Sequence, residues 1–295
     1  MNISILLPYK ENFSPEYPGA VSLFVYETTK ISKYKKNITV FGNTNFKKKF
    51  NLKYINIDLK KDIFTSQTKL YVKKFINLER KYQSSIIEIH NRPSYIRILQ
   101  TNLQSRIFTL YFHNDPLSMD GSKTVEQRKQ LLKFCYKIIF NSAWSKKRFL
   151  EGLENKFVNS NKLLIFYQSA EKNNLSIIKK KKKWITFVGK LNKAKGYDIF
   201  SNSIVKILNK FPNWNAMIIG DEKREKINLN HKNATILGFK KHEEVLKIFE
   251  KTSITVACSR WEEPFGRTSL EASANGCAVI ITNKGGLPET VTDAK

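Results

Sequence analysis

Two consecutive carboxylates, Glu262 and Glu263, lie in a short loop that also contains a Pro and a Gly, between an apolar segment and a helical pattern. The apolar residues at 253–258 are rich in β-branched side chains and predict a buried parallel strand. The loop would then lie at the carboxyl end of a sheet, where open α/β folds bind their ligands. We therefore expect these carboxylates to face a ligand.

The helix that follows this loop begins at a candidate anion-binding position. Gly266, Arg267 and Thr268 form its predicted first turn, in which the backbone N–H groups have no acceptor within the helix. With the positive end of the helix dipole, these groups favour an anion or a row of hydroxyl groups. Glu263 lies just before the helix and Glu271 one turn inside it. This layout suits a ligand with an anionic centre and hydroxyl-rich ends, such as a nucleotide-sugar.

An ordinary explanation of the same residues stays open. Glu271 follows Arg267 by four residues, a spacing typical of a surface ion pair on a helix. Glu262 and Glu263 are also the kind of first-turn acids that complement a helix dipole. The motif alone does not separate the two interpretations.

A second loop with candidate ligand-binding residues contains Lys190 and Lys195. The apolar segment 184–188 predicts the preceding strand, and a helical period begins at Tyr197. This loop would therefore share a sheet edge with Glu263. Two cations beside a helix start are well suited to a diphosphate.

The first half of the chain offers Gly19 and two histidines. Gly19 opens the first helical pattern after the first predicted strand, where a glycine allows close approach of a ligand, although a simple turn explains it equally well. His90 and His113 each follow a predicted strand. A lone histidine is more often structural, but two at equivalent strand ends favour a functional role.

The composition is that of a globular protein with an unusual charge. The chain has 295 residues, 41% of them hydrophobic, which is enough for two domains, and its formal net charge is +27. Such a charge indicates a polyanionic partner, either nucleic acid or an anionic membrane surface, or compositional drift towards lysine.

No segment approaches the ~20 apolar residues that span a bilayer. The cysteines have no metal-ligand spacing and predict buried free thiols: Cys135, Cys258 and Cys277.

Strand and helix patterns alternate through both halves and predict two α/β domains. Five consecutive lysines at 179–183 repel one another and indicate a linker or surface segment. We therefore predict a first domain at 1–172, a basic linker at 173–183 and a second domain at 184–295. Contact of the linker with anionic lipid head groups is the functional alternative.

With both loops in view, the chain resembles the retaining glycosyltransferases of family 4, which have the GT-B architecture of two Rossmann-like, doubly wound domains facing a central cleft. The specific matches lie between residues 184 and 289: Phe187-Val188-Gly189-Lys190, Lys195-Gly196, Glu263-Pro264-Phe265-Gly266, Leu270-Glu271-Ala272 and Gly285-Gly286-Leu287-Pro288-Glu289. The first half matches loosely, through Pro18-Gly19-Ala20 and His113. The nearest subgroup resembles bacterial enzymes of lipopolysaccharide-core or other cell-surface glycan assembly.

The resemblance implies roles for the donor-binding residues. Glu263 would contact hydroxyls of the donor sugar, and Glu271 would hold the ribose hydroxyls. Lys195 and Lys190 would bind the diphosphate and stabilise it as the leaving group. Many relatives have Arg at the position of Lys190. The lysine of this chain keeps the positive charge but lacks the guanidinium group that binds a phosphate through two hydrogen bonds. Backbone groups would meet the sugar and phosphate at three positions, Gly266, Arg267 and Thr268.

The resemblance also implies roles outside the donor loops. Gly19 would face the phosphate or the acceptor, and His113 would lie near the anomeric carbon. Fixed cations and helix N–H groups can stabilise a departing diphosphate without a metal ion, and the chain has no Asp-x-Asp motif for metal-bridged donor binding. The implied enzyme is a hexosyltransferase with no cofactor, a nucleotide-sugar donor and a glycan or glycolipid acceptor. It would be cytoplasmic or peripheral on the inner face of the cytoplasmic membrane.

One departure from the family pattern concerns the end of the sequence. Relatives usually continue beyond the Pro-Glu-Thr segment with one or two further helices, whereas this sequence ends at Lys295. We therefore expect an incomplete C-terminal domain, in a fragment or a variant. Two other functions stay open: a nucleotide-sugar epimerase with the GT-B fold, and a basic nucleic-acid-binding protein, for which charge is the only support.

Overall fold

The computed structural model describes residues 1–59, 66–157, 160–170, 181–225 and 227–291. The chain divides into two compact units, Met1–Tyr167 and Gln168–Lys295. The fold is GT-B: each unit contains one parallel sheet with helices on both faces. Most of the predicted linker lies outside the described residues, which omit 171–180.

The first unit contains a seven-stranded sheet in the order β3-β2-β1-β4-β5-β6-β7, and every neighbouring pair is parallel. Its strands are β1 (Ile3–Leu6), β2 (Ile38–Gly42), β3 (Tyr54–Asn56), β4 (Ile86–His90), β5 (Ile107–Phe112), β6 (Lys137–Phe140) and β7 (Leu163–Ile165). Its helices are α1 (Ala20–Ile31), α2 (Gln67–Tyr82), α3 (Ser94–Asn102), α4 (Val125–Phe134) and α5 (Ala143–Leu150). The order reverses direction at β1, as in Rossmann folds.

Alternation of side chains along β1 explains how helices cover both faces of this sheet. Ile5 and Leu7 pack in a cluster with Phe24 of α1. Leu6, between them, points to the other face and packs in a cluster with residues of α2 such as Phe75. Successive side chains of a strand point to opposite faces, so a continuous apolar run is the pattern expected of a strand buried on both sides.

The second unit contains a five-stranded parallel sheet in the order β10-β9-β8-β11-β12. Its strands are β8 (Lys182–Val188), β9 (Asn215–Ile219), β10 (Ala234–Ile236), β11 (Thr252–Ala257) and β12 (Ala278–Ile281). Its helices are α6 (Tyr197–Lys210), α7 (His242–Phe249) and α8 (Arg267–Ala274). One buried cluster contains Phe200 of α6 and a second contains Phe249 of α7, so this sheet is also covered on both faces.

The elements predicted around the candidate loops are present within one or two residues of their expected positions: the strands at 184–188 and 253–258 and the helices from Gly266 and Tyr197. Two features differ from the prediction. Helix α3, which begins directly after Pro93, has no counterpart in the sequence analysis because its nine residues are too few for a clear period. Strand β8 begins at Lys182, so the last lysines of the basic run are paired in the sheet, where Lys182 N donates to Lys251 O. The amine of Lys181 donates to the carbonyls of Phe249 and Asn275 at two helix ends, where a cation is favourable.

All three cysteines are buried and free, as their spacing in the sequence predicts. Within the described ranges, every helix is too short or too polar to cross a membrane.

Candidate functional site

The two candidate loops of the second unit are in direct contact. Strands β8 and β11 are neighbours, so the loops that follow them leave the same sheet edge. Arg260 N in the second loop donates to Ala194 O in the first at 2.9 Å. Gly196 permits this approach: its φ is +72°, and a Cβ there would lie 1.9 Å from the carbonyl oxygen of Cys258. A residue with a side chain would push the loops apart.

The contact brings together Lys195 and Glu263, which are 68 residues apart in the sequence. Lys195 Nζ lies 2.5 Å from Glu263 Oε1. The hydroxyl of Ser259 donates to the same oxygen at 2.5 Å, and the amine lies 5.1 Å from the centre of the Trp261 ring. The carboxylate is thus held by a cation and a hydroxyl at the carboxyl end of the sheet.

The backbone around Glu263 is fixed by the Gly285-Gly286 pair. Gly286 N donates to Glu263 O at 2.6 Å, and Gly285 N donates to Glu262 Oε2 at 2.6 Å. A Cβ on Gly285 would lie 2.1 Å from Glu263 O, so only glycine fits against this backbone. Glu262 also pairs with Lys284 at 3.3 Å and is exposed. Of the two consecutive carboxylates, Glu263 is therefore the one that lies against the lysine.

Helix α8 begins without a capping side chain. Its N-cap residue is Gly266, and its first turn contains no acidic residue. A Cβ on Gly266 would lie 2.4 Å from the Leu287 side chain. A helix start without side-chain acceptors leaves the positive dipole end available for an anion. Arg267 and Thr268 are partly exposed in this turn.

Glu271 is a buried carboxylate rather than a member of an exposed ion pair, with only 6% of its surface accessible. Arg267 Nε and His242 Nε2 both bind its Oε1, at 2.6 and 2.8 Å. Burial acts to raise the pKa of Glu271, but the His242 hydrogen bond and the Arg267 charge outweigh it, and the pKa is lowered. Among the described residues, Oε2 receives no hydrogen bond. The carboxylate is therefore oriented through one oxygen, by donors from two different helices.

Lys190 is exposed at the start of its loop, and its carbonyl accepts a hydrogen bond from Asn192 N. Within the described part of the chain its amine has no partner. The Asn192 side chain, by contrast, is buried; it accepts from Lys195 N at 3.0 Å and donates to Glu222 at 3.1 Å. The loop is therefore shaped by Asn192, while the charge of Lys190 is exposed to solvent.

Gly19 of the first unit lies against the carboxyl group of Glu11. A Cβ on Gly19 would lie 2.0 Å from Glu11 Oε1, which accepts a hydrogen bond from Ser22 N in the first turn of α1. Burial raises the pKa of Glu11, although the Ser22 hydrogen bond and Arg92 act in the opposite direction. The carboxyl group of Glu11 thus already lies against the helix start that is expected to face a phosphate or an acceptor, and its ionised form would repel an approaching phosphate.

His113 lies at the end of β5 in a chain of polar groups. Its Nε2 lies 2.9 Å from His90 Nδ1, and His90 Nε2 lies 2.7 Å from Glu88 Oε1. Asn91 Oδ1 accepts from His113 N at 2.9 Å, and Asn141 Nδ2 donates to His113 O at 3.1 Å. Residues that follow β4 and β6 therefore fix the backbone of His113 from both sides.

Several residues that shape these sites were not singled out from the sequence: Glu11, Glu88, Asn91, Asn141, Asn192, His242 and Ser259. The positions of Asn91 and Asn141 in the sequence could have indicated a role in these sites, because each directly follows a strand. Nothing in the sequence distinguishes His242, since it is one of several polar residues at a helix start. Within the described ranges, no three His, Cys, Asp or Glu side chains form a group that could hold a metal ion.

Comparison with known proteins relates the second unit to one family. Residues 168–295 match the family model described as Glycosyl transferases group 1. The chain is 23% identical to spore coat protein SA of Bacillus subtilis (strain 168), over 100% of this chain and 84% of that protein. It is 31% identical to the lipopolysaccharide core biosynthesis mannosyltransferase LpsB of Rhizobium meliloti (strain 1021), over 38% of this chain and 34% of that protein.

The comparison of structures agrees with the architecture. The crystal structure of Anabaena HepE in complex with UDP-glucose aligns with a TM-score of 0.72 at 16% sequence identity, and the alignment covers 99% of this chain and 83% of that chain. At this level of identity the likeness concerns the fold.

Proposed function

From the glycosyl transferases group 1 match of residues 168–295, we propose that the protein transfers a hexosyl group from a nucleotide-diphosphate sugar to a glycan or glycolipid acceptor. The single observation that carries this proposal is the contact of Lys195 with Glu263 beside the uncapped start of α8. One side chain supplies a cation for the diphosphate and the other an acceptor for sugar hydroxyls.

In the proposed donor complex, Lys195 and Lys190 bind the diphosphate. Backbone groups at the start of α8, from Gly266 to Thr268, meet the phosphate and the sugar. Glu263 accepts hydrogen bonds from the sugar hydroxyls. Glu271 binds the ribose hydroxyls through Oε2, the oxygen to which Arg267 Nε and His242 Nε2 do not bond.

The proposed reaction breaks the bond between the anomeric carbon and the diphosphate and forms a bond to an acceptor hydroxyl. Negative charge grows on the departing diphosphate while the sugar acquires oxocarbenium character. Lys195 and the positive end of α8 stabilise that charge, so no metal ion is required. We propose that the anomeric configuration is retained, as in family 4, and that His113 acts near the anomeric carbon.

The proposed acceptor belongs to cell-envelope polysaccharide or lipopolysaccharide biosynthesis. The LpsB match supports this assignment, and the net charge of +27 is consistent with work at the anionic inner face of the cytoplasmic membrane. Gly19 is proposed to lie on the acceptor side, where Glu11 would also contact the incoming molecule.

A thermal-shift panel of UDP-, GDP- and ADP-sugars tests the donor assignment. A ligand at 100 times its Kd stabilises the folded state by about 2.7 kcal/mol, so one nucleotide series is expected to raise the Tm clearly. Glu271→Ala is expected to abolish the shift. No shift with any member of the panel would contradict the proposal. An isomerised sugar formed without acceptor would show an epimerase instead.

A further inference from the structure

Trp261 is an exposed tryptophan in the loop between β11 and α8, with 43% of its surface accessible. The other tryptophans of the chain are partly buried. Tryptophan is the largest apolar side chain, and burial of its ring would stabilise the fold. The proposed donor complex assigns no contact to this ring. Its position at the surface therefore has an origin other than the packing of the core.

The backbone places Trp261 beside Lys195. Trp261 N donates to Ala194 O at 3.4 Å, and Arg260 N donates to the same oxygen at 2.9 Å. The side chain of Arg260 also bonds to Asp198 Oδ2 at 2.5 Å, in the first turn of α6. Because Ala194 directly precedes Lys195 in the chain, these contacts fix the spacing between the Trp261 ring and the lysine side chain.

The amine of Lys195 lies between the Trp261 ring and the Glu263 carboxylate. Its Nζ is 5.1 Å from the centre of the ring and 2.5 Å from Glu263 Oε1. A cation within about 6 Å of a ring centre is attracted by the electrons of the ring face, and tryptophan gives the strongest attraction. Some lysines of this chain lie over a ring only because the two are neighbours in the sequence, such as Lys210 and Phe211. Lys195 and Trp261 come from separate loops, so the tertiary structure creates their contact.

The two partners of the amine differ in how they respond to a diphosphate. Glu263 competes with it, because carboxylate and phosphate oxygens accept the same N–H groups. The Trp261 ring has no hydrogen-bond acceptor, so it attracts the charge and leaves the N–H groups for the ligand. A lysine stem is flexible and loses rotamer freedom when its amine is fixed. A ring that already restricts the amine reduces this loss.

We propose that Trp261 is a positioning residue that holds the Lys195 amine while it moves from Glu263 to the diphosphate of the donor. This role rests on the proposed glycosyl transfer and concerns the nucleoside diphosphate part of the nucleotide-sugar. Trp261 acts through Lys195 and not through a contact of its own with the ligand. The affinity for a nucleoside diphosphate therefore depends on the ring only while the amine is present.

Isothermal titration of the full chain with UDP, GDP and ADP tests this role. Trp261→Leu removes the ring and keeps an apolar side chain. Its affinity for the nucleotide that binds the wild type is expected to fall about three- to tenfold. Trp261→Phe should keep part of the affinity, since a smaller ring remains. Phe211→Leu is the matched control, because Phe211 is an exposed ring in the same unit with a lysine amine 5.7 Å from its centre; it should bind as the wild type does.

Lys195→Met separates positioning from direct contact with the ligand. Methionine keeps an unbranched side chain but has no charge, so this variant removes the amine with little change of shape. Trp261→Leu is expected to have no further effect on affinity when it is added to Lys195→Met. Equal fold losses in both backgrounds would overturn the proposal, because the ring would then act independently of the amine. Wild-type affinity in Trp261→Leu would overturn it as well.

Tryptophan emission detects the contact without a ligand. In each background, the difference between the spectra with Trp261 and with Trp261→Phe isolates the emission of this ring. A charge close to an indole ring shifts its emission, so Lys195→Met is expected to shift the difference spectrum. Lys193→Met, an exposed lysine in the same loop, should leave it unchanged. An unshifted spectrum in Lys195→Met overturns the proposal, including the case in which that variant binds nucleotide too weakly for titration.

The same measurements distinguish failure of this inference from failure of the proposed function. Should the wild type bind none of the three nucleotides, the proposed function fails and the role of Trp261 fails with it. Nucleotide binding by the wild type, together with an unshifted spectrum or equal fold losses, removes the role of Trp261 alone.

Discussion

Lys195 Nζ and Glu263 Oε1 lie 2.5 Å apart, so two residues proposed to bind different parts of one ligand neutralise each other in this structure. Donor binding must exchange this contact for contacts with the diphosphate and with sugar hydroxyls. The arrangement keeps both side chains ordered beside the helix start. It also predicts that the two are energetically coupled, because removal of one leaves the other without its partner.

Lys195→Ala is expected to lower kcat by about 10²- to 10³-fold, the usual effect of removing one group that stabilises transition-state charge. The reason is the loss of the fixed cation at the diphosphate. Steady-state kinetics with the donor found in the thermal-shift panel provides the measurement. Lys193→Ala is the matched control, because Lys193 is exposed two residues away and its hydrogen bonds within the described residues involve only its backbone: the N–H donates to Glu225 and the carbonyl accepts from Gly196 N. Equal losses in both variants would indicate an effect of overall charge.

His242→Ala is expected to weaken nucleotide binding by about three- to tenfold, because one of the two donors that orient Glu271 is lost. The value of kcat at saturating donor should stay unchanged, and His242→Gln should recover part of the affinity. Isothermal titration with the nucleoside diphosphate measures the change. Lys247→Ala, exposed on the same helix, is the control. Wild-type affinity in His242→Ala would show that Arg267 alone orients the carboxylate.

Glu11→Gln is expected to stabilise the protein at pH 8, with an effect on the order of 1 kcal/mol that shrinks towards pH 4. The pKa of Glu11 is raised by burial, so the folded state prefers the protonated form. The stability from this group is complete below the unfolded-state pKa and is lost as the pH rises through the folded-state pKa. Gln mimics the protonated form at every pH.

Urea unfolding at a series of pH values, followed by a probe in the first unit, measures this effect. Glu16→Gln is the control, because Glu16 is exposed nearby. If the Glu11 and Glu16 variants show the same pH dependence, the buried carboxyl group is not the origin.

Gly196→Ala is expected to cost at least twice as much stability as Gly238→Ala. Both glycines have similar φ values, +72° and +67°, in a region that costs other residues about 1–2 kcal/mol. Gly238 has open space at the Cβ position, whereas a Cβ on Gly196 would lie 1.9 Å from Cys258 O. The difference between the variants in urea unfolding isolates the close loop contact. Gly196→Ala should also weaken donor binding, because the contact positions Lys195 against Glu263.

The strands and helices can be predicted from the sequence because their hydrophobic patterns are strong. Buried parallel strands need continuous apolar runs, and amphipathic helices repeat their apolar residues at helical spacing. Helix α6 begins at Tyr197, where the sequence predicts the helical period to begin. Helix α3 was missed because nine residues give too little periodicity, and the start of β8 was missed because lysines are unusual in a strand.

Only part of the candidate site can be predicted from the sequence. The sequence predicts Lys190, Lys195, Glu263 and Glu271 as ligand-binding residues because each lies at a strand end or a helix start, where local patterns place such groups. It does not predict the side chains that contact them. The contact of His242 with Glu271 joins residues 29 positions apart on two helices, and no local pattern encodes such a distance.

The sequence by itself determined the two parallel α/β units, the loops at their strand ends and the kinds of charge in those loops. These properties depend on interactions between residues that are close in the chain. The tertiary structure decided which charges meet: Lys195 with Glu263, Glu271 with His242, and Glu88 with the two histidines. These contacts depend on the tertiary structure because the order of strands in the sheet brings together loops that are far apart in the sequence. The packing of side chains then determines which atoms are in contact.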